Sequence, residues 1–359
     1  MQITPLSKPR GLPPFYRAAI RWLTFPLAMS IFAAAAAAIH QGRLPRPELA
    51  QLAAFAATAV LAMSAERLLP FRADWARMPS EEKRTDRTSL LALFVLVDPL
   101  LKLVLMPALA SLGVAALVPL GGLDLFPSAL PLPLQLLMAV LVAELGAYGM
   151  HRLAHQVPRL WGIHSFHHNP ARLYWLNGFR VNPLNVAWHQ LSSILVLRLL
   201  GAPVELVHMV VTLGIVIAVM QHCNADLRYD GWNLFFGTAD LHRWHHAVNE
   251  SEHAANFGTL TILWDQVLGT YRGGHAGPAR VGIAGGAPTN DGYLQEVWQA
   301  YSNHSGSPRA KGAALPGVSE AEPIDSFCSL CPLPRGRIPL AQRIRSWVPA
   351  LLSGCCAER

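Results

Sequence analysis

Residues 22–39 contain no charged side chain, and neither do residues 49–65. Runs of this length approach the roughly 20 apolar residues that a helix needs to cross about 30 Å of hydrocarbon. A chain placed there must satisfy every backbone N–H and C=O internally, and that constraint decides the fold before any other. Composition agrees, since only 14% of residues are charged, against about 25% in soluble chains. So little charge cannot solvate a soluble surface of this size. Disordered, coiled-coil, collagen-like and disulfide-scaffold classes are excluded, and the expected fold class is an all-α integral membrane helical bundle.

Further spans follow along the chain. Residues 88–123 are apolar except for Asp98 and Lys102, which lie four apart and share a helix face. Pro99 is expected to break this region, leaving an interfacial piece before a spanning helix from Leu103. A fourth helix is expected from about Leu134 to Met150, with Glu144 as its one acid. Residues 186–200 and 206–221 flank a Gly201-Ala202-Pro203 turn. They read as a hairpin that enters and returns to one side, with Arg198 and Glu205 positioned to pair at its tip. The N-terminal run exceeds a signal-peptide core and reads as a retained helix. Three regions result: N-terminal transmembrane helices over 1–133, a chemistry-bearing region over 134–272, and a flexible tail over 273–359. The tail has a basic amphipathic stretch at 340–352. Cys223 stands alone, and Cys328, Cys331, Cys355 and Cys356 lack a regular metal spacing. They read as unpaired thiols, or as acylation sites at the terminal pair.

The net charge of +7, from 29 Lys+Arg against 22 Asp+Glu, reads as topology and anionic lipid rather than nucleic acid. The segment before the first span holds Lys8, Arg10, Arg17 and Arg21. The 66–87 loop holds Arg67, Arg72, Arg77, Lys83, Arg84 and Arg87. The intervening loop holds only Arg43 and Arg46, and residues 121–133 hold no base. The N-terminus and all histidine segments are therefore expected on the cytoplasmic side.

Three histidine clusters carry the chemistry: His151-x-x-x-His155, His164-x-x-His167-His168 and His242-x-x-His245-His246. Positions i, i+3 and i+4 share one helix face, so their imidazoles can converge on metal. Imidazole suits Zn, Cu, Fe and Ni, and eight such groups exceed what one ion can use, so two ions are expected. His222, where the hairpin returns, is a ninth candidate; His189 and His253 are weaker ones. His208 reads as packed within a span, and His40, His275 and His304 as solvated. Asp240 and Asn224 are candidates to receive the ligands' second N–H. Glu144, two turns below His151, must be paired or functional at that depth. A metal transporter would place its ligands near the midplane, whereas these histidines sit at span ends. A zinc hydrolase would carry His-Glu-x-x-His, and the chain has none.

The 144–155 run, the two His-x-x-His-His clusters, His222 with Asn224, and Asn256-Phe257-Gly258 before Trp264-Asp265 and Gly269-Thr270 resemble the fatty acid hydroxylase/sterol desaturase superfamily. The resemblance covers roughly residues 134–272. It implies a membrane-bound di-iron, O2-dependent lipid hydroxylase, with desaturation as the alternative outcome and a cytoplasmic, histidine-rich di-metal cap. The implied ligands are His151, His155, His164, His167, His168, His222, His242, His245 and His246. The implied cofactors are two iron ions, replaceable by zinc on purification, with O2 as co-substrate. Electrons would come from NAD(P)H through a reductase and a cytochrome b5-like or ferredoxin carrier. This donor is expected to be separate, because no His-Pro-Gly-Gly segment is fused here. One departure is Asn182 in Arg180-Val181-Asn182-Pro183, where many members carry histidine. Hydroxylation is favoured by family frequency. The lipid is expected to enter from the bilayer, with Phe166, Trp175, Trp244 and Trp264 as candidate path-lining residues.

Overall fold

The computed structural model describes residues 12–101, 103, 108, 125–284 and 292–302. Helix α1 (Pro14–His40) and helix α2 (Pro47–Leu68) each open with proline in the first turn, where the missing N–H costs nothing. Helices α3 (Ser80–Ala92) and α4 (Asp98–Leu100) are joined by a π turn at Leu93–Val97. Then come α5 (Leu132–Gln156), α6 (Pro158–His168), α7 (Pro183–Gln190) and α8 (Val196–Leu199). The remaining helices are α9 (Val204–His222), α10 (Ala239–His245), α11 (Glu250–His253), α12 (Leu263–Val267) and α13 (Tyr293–Ser302). Only isolated β-bridges interrupt this helical fold among the described residues.

Four helices, α1, α2, α5 and α9, are long and apolar enough to cross a bilayer. Helix α9 sits at the centre and packs against the other three. Its Leu213, Val216, Ile217 and Met220 join Phe25 and Ala28 of α1, Ala54 and Ala62 of α2, and Ala139 and Ala143 of α5 in one core. Alanine at these contacts lets helix backbones approach closely, which is how helices associate where water supplies no driving force. His208 is packed as expected, with Gln51 donating to its carbonyl at 3.2 Å.

The hairpin forms as expected: α7, a π turn at Leu191–Leu195, α8, and a turn through Gly201 at φ +89° into α9. At Gly146 of α5 a Cβ would overlap the Ser192 carbonyl of that π turn, so only glycine admits this crossing. The expected tip pair does not form. Arg198 donates to the Ala202 carbonyl at 2.6 Å, and Glu205 instead faces His40 at 3.9 Å.

Other expectations change. The 66–87 loop is not wholly irregular, because α3 starts at Ser80 and buries Glu82, Thr85, Asp86 and Ser89 on one face. Pro99 does not break the chain's course. The π turn just before it widens the hydrogen-bond register and the helix continues through it. Within the expected flexible tail, α13 is an ordered helix packed on α6 and α3. The spanning helix from Leu103, Lys102, the basic residues Lys8 and Arg10, His304, the 340–352 stretch and the four tail cysteines lie outside the described residues.

Candidate metal centre

Helix α5 ends where Val157 adopts an extended backbone (φ −97°, ψ 116°). Pro158 disfavours a helical residue before it and then opens α6 at its first position. This corner folds α6 back so that His164 and His168 meet His151 and His155. Helix α9 delivers His222 at its last residue, and α10 adds His242 and His245, with His246 next in line. Gly178 permits a further close approach, because a Cβ there would lie 3.1 Å from His222 Nδ1 and overlap the Ala218 carbonyl.

The nine histidines form two groups. His151, His155, His164, His168 and His245 make one; His167, His222, His242 and His246 make the other, with ligand atoms inside each group within 4.8 Å of one another. Each His-x-x-His-His cluster sends its i, i+4 pair to one group and its middle residue to the other. Neighbouring helix positions are about 100° apart, so adjacent histidines splay toward different centres. The groups touch: the His168 and His246 rings stack at 4.3 Å between centroids.

Hydrogen bonds fix which nitrogen faces inward. A carbonyl only accepts, so Nδ1 must donate from His151 to Phe257 (2.7 Å), from His167 to Arg180 (3.2 Å), from His222 to Ala218 (2.9 Å) and from His245 to Ala255 (2.9 Å). His164 Nδ1 likewise meets Asn185 Oδ1 at 2.8 Å. The Nε2 atoms are then bare lone pairs. His151 and His164 present theirs 3.0 Å apart, and His222 and His167 theirs 3.4 Å apart. Two lone pairs at that distance repel unless a cation lies between them. Imidazole nitrogens bind metal at about 2.0–2.1 Å, so two at right angles on one ion stand roughly 3 Å apart. His245 Nε2 and both nitrogens of His155 are buried without a hydrogen-bond partner among the described residues. The donor set therefore fits a pair of metal ions.

Electrostatics agrees. Burial first, and neighbouring imidazoles after it, hold His164, His168, His242 and His246 well below the usual imidazole range. Burial likewise brings His167 to about 4 and His245 to about 3. Neutral imidazole is the form that binds metal. Neither group contains a carboxylate.

The surrounding residues differ from expectation. Asp240 binds Arg243 (3.0 Å) and His275, and not His242, whose buried Nδ1 has no partner among the described residues. Asn224 instead clasps the backbone of Arg72, accepting from its N–H and donating to its C=O, both at 3.0 Å. His275 is not solvated; it bridges Asp240 (3.0 Å) and Asp226 (3.3 Å) and stands edge-on to Phe71. Its hydrogen bonds to Asp226 and then Asp240 raise its pKa to about 9. His189 and His253 join neither group. The His189 ring lies 5.7 Å from that of His151, while His253 stacks on Trp161. Asn182 caps α7, accepting from Leu184 N–H (3.0 Å) and Tyr301 O–H (2.8 Å).

Glu144 is paired with backbone. Its carboxylate accepts from the N–H groups of Thr259 (2.7 Å), Leu260 (2.6 Å) and Thr261 (3.4 Å), holding the loop whose Phe257 carbonyl orients His151. The four candidate path residues make these contacts. Phe166 lies under the Arg180 guanidinium at 4.7 Å, and Trp175 packs toward Phe55. Trp244 donates to the Gly274 carbonyl, and Trp264 to that of Leu141.

Sequence reading missed two residues. Asn185 orients His164, and Arg180 is fully buried between Asp86 (2.8 Å) and Glu296 while its carbonyl orients His167. Only the charge of Arg180 amid apolar sequence hinted at either.

Fold and site together define a helical membrane protein with a paired histidine cage at one end of its spans. Residues 136–270 match the fatty acid hydroxylase family model. The ornithine lipid hydroxylase OlsE of Rhizobium tropici is 29% identical over 182 residues, covering 49% of this chain and 53% of that protein. The chain thus spans about half the length of the curated relative it matches. No solved structure matches significantly.

Proposed function

We propose that the protein is a membrane-bound, O2-dependent di-iron hydroxylase of a lipid. One observation carries the reading: two adjoining groups of buried, neutral imidazoles with their lone pairs turned inward. His151, His155, His164, His168 and His245 would hold one ion, and His167, His222, His242 and His246 the other. Bound iron would supply the O2 activation that an unactivated C–H bond demands and that no side-chain acid or base can give. The chain's own part is to orient five of the nine rings through Phe257, Arg180, Ala218, Ala255 and Asn185, and to shield the cage from water.

The substrate class is a membrane lipid. The name of the relative makes an ornithine lipid the first to assay. Electrons would come from NAD(P)H through a separate reductase and a cytochrome b5-like or ferredoxin carrier. The Lys/Arg asymmetry supports a cytoplasmic site that such carriers can reach.

Two measurements test this. Metal analysis of folded protein in gentle detergent is expected to give two ions per chain, iron in the active form; one or none overturns the reading. Lipid mass spectrometry with and without the gene is expected to show gain of one oxygen. Loss of two hydrogens instead would make the protein a desaturase.

A further inference from the structure

Two segments outside the spanning helices carry large apolar side chains on their surface. Trp232 is 38% exposed, Phe235 54%, Val267 57% and Leu268 46%. These segments are joined to each other. Phe236 and Thr261 form a β-bridge, Ile262 N–H donates to the Phe235 carbonyl (3.1 Å), and the Gln266 side chain donates to that of Leu234 (2.6 Å).

Their depth can be read from the helices beside them. Arg228 N–H donates to the carbonyl of Arg21, where α1 still carries charge. One turn further in, about 6 Å along the axis, Phe25 packs against Trp232 and Phe236, with ring centroids at 5.4 and 5.9 Å. On α5 the anchor lies deeper. Trp264 donates to the carbonyl of Leu141 (3.0 Å), ten residues and roughly 15 Å along the helix from His151. Glu144 takes three successive N–H groups of the 259–261 loop. Irregular backbone survives at hydrocarbon depth only where protein groups satisfy it, and Glu144 does that here.

We propose that residues 232–236 and 259–268 form a wedge inserted into the leaflet on the histidine side, with the face of Phe235, Val267 and Leu268 lying against lipid acyl chains. The wedge packs on α1 at Phe25 and bonds to α5 at Leu141, two helices long and apolar enough to span, so the occupant of its exposed face is hydrocarbon. The wedge leads directly to the cage through Phe257, whose ring stands 5.3 Å from that of His155 and 5.6 Å from that of His245. A lipid beside the wedge thus borders the histidines from within its own leaflet.

The test is depth measurement on the full chain with its native cysteines replaced, in phosphatidylcholine/phosphatidylglycerol vesicles. Nitroxide labels are placed singly through Phe235→Cys, Val267→Cys and Leu268→Cys. Leu137→Cys on the exposed face of α5 and Ala276→Cys in an exposed loop serve as references. Power saturation compares collision with O2, which partitions into hydrocarbon, and with a water-soluble nickel chelate. The expected O2-to-nickel ratio at the wedge matches Leu137 and exceeds Ala276 several-fold. A ratio equal to that at Ala276 overturns the proposal, and so does protection from both agents, which would mark a protein interface. Metal retention by each variant shows that it is folded. Because the readout is independent of turnover, its failure is distinct from failure of the hydroxylase reading.

Discussion

A ring nitrogen that donates to a fixed carbonyl sets both the tautomer and the direction of its partner nitrogen, so the cage is specified one residue at a time. His164 depends on Asn185 for this. Asn185→Ala is expected to weaken metal affinity by roughly 10–100-fold, measured by competition with a chelator, while insertion is unchanged. His167→Ala and His245→Ala each remove one ligand and are expected to abolish turnover in protein that still inserts. Near-normal activity would reject their roles. His275 makes a prediction of opposite kind. Its pKa is raised from 6.5 to about 9 by Asp226 and Asp240, so its contribution is fully present below pH 6.5 and is lost as pH rises through 9. His275→Gln is therefore expected to lower the melting temperature most near pH 6 and hardly at all near pH 10. A loss that does not vary with pH would show that the charge is irrelevant. The eight clustered histidines were legible in the sequence because i, i+4 spacing is a local signal, and His222 because it stands where the hairpin returns. His275 was not, since its two carboxylates come from positions 49 and 35 residues earlier.

At the scale of elements, the cage is held by segments that meet only through tertiary contacts. The loop after Phe257 depends on Glu144, and Glu144→Ala strands three amide N–H groups, each costing about 1–3 kcal/mol when buried without a partner. The expected result is a clear fall in melting temperature with loss of metal, whereas Glu144→Gln, which still accepts hydrogen bonds, retains most of both. Equal behaviour of the two variants would remove the carboxylate from this role. Helix α13 acts similarly from outside the family-matched segment. Its Glu296 shares buried Arg180 with Asp86, and removing one partner of such a pair costs about 3–5 kcal/mol. Truncation after Ser302 is expected to keep bound metal, and truncation before Tyr293 to lose it. Apolar runs made the spans and the hairpin readable from sequence. Helix α13 was not readable, because ten residues of mixed polarity bury only Tyr293 and Glu296, and their partners lie more than 100 residues away. Pro99 misled for a related reason: a proline rule describes an ideal α-helix, and the preceding π turn relaxes that geometry.

For the whole molecule, the site exists only if chain segments separated by membrane crossings return to one face. His151 and His155 end α5 and His164 to His168 lie on α6, whereas His222 ends the hairpin of α7, α8 and α9 and His242 to His246 come after it. The sequence indicates this through the Gly201-Ala202-Pro203 turn, and the two histidine groups interlock by exchanging the middle residue of each cluster. Helix α1 brings its N-terminal end to the same face, where Arg21 pairs with Asp226. The loop joining α1 to α2 then lies at the other end of those spans, beside the start of α9, where His40 meets Glu205. We propose that the histidine face is the cytoplasmic one on the positive-inside rule, since Lys and Arg concentrate up to Arg21 in the first turns of α1 and from Arg67 at the end of α2, with only Arg43 and Arg46 between. In a variant lacking the native cysteines, cysteine at Arg159 or at Asn249 is therefore expected to react only with a reagent supplied from the cytoplasm. Cysteine at Arg46 is expected to react only from outside. Labelling of all three from reversed sides would keep the cage intact but invert the protein, removing it from its proposed electron donors. Labelling of Arg159 and Asn249 from opposite sides would place a bilayer between the halves of the cage, which the interlocked histidines do not permit.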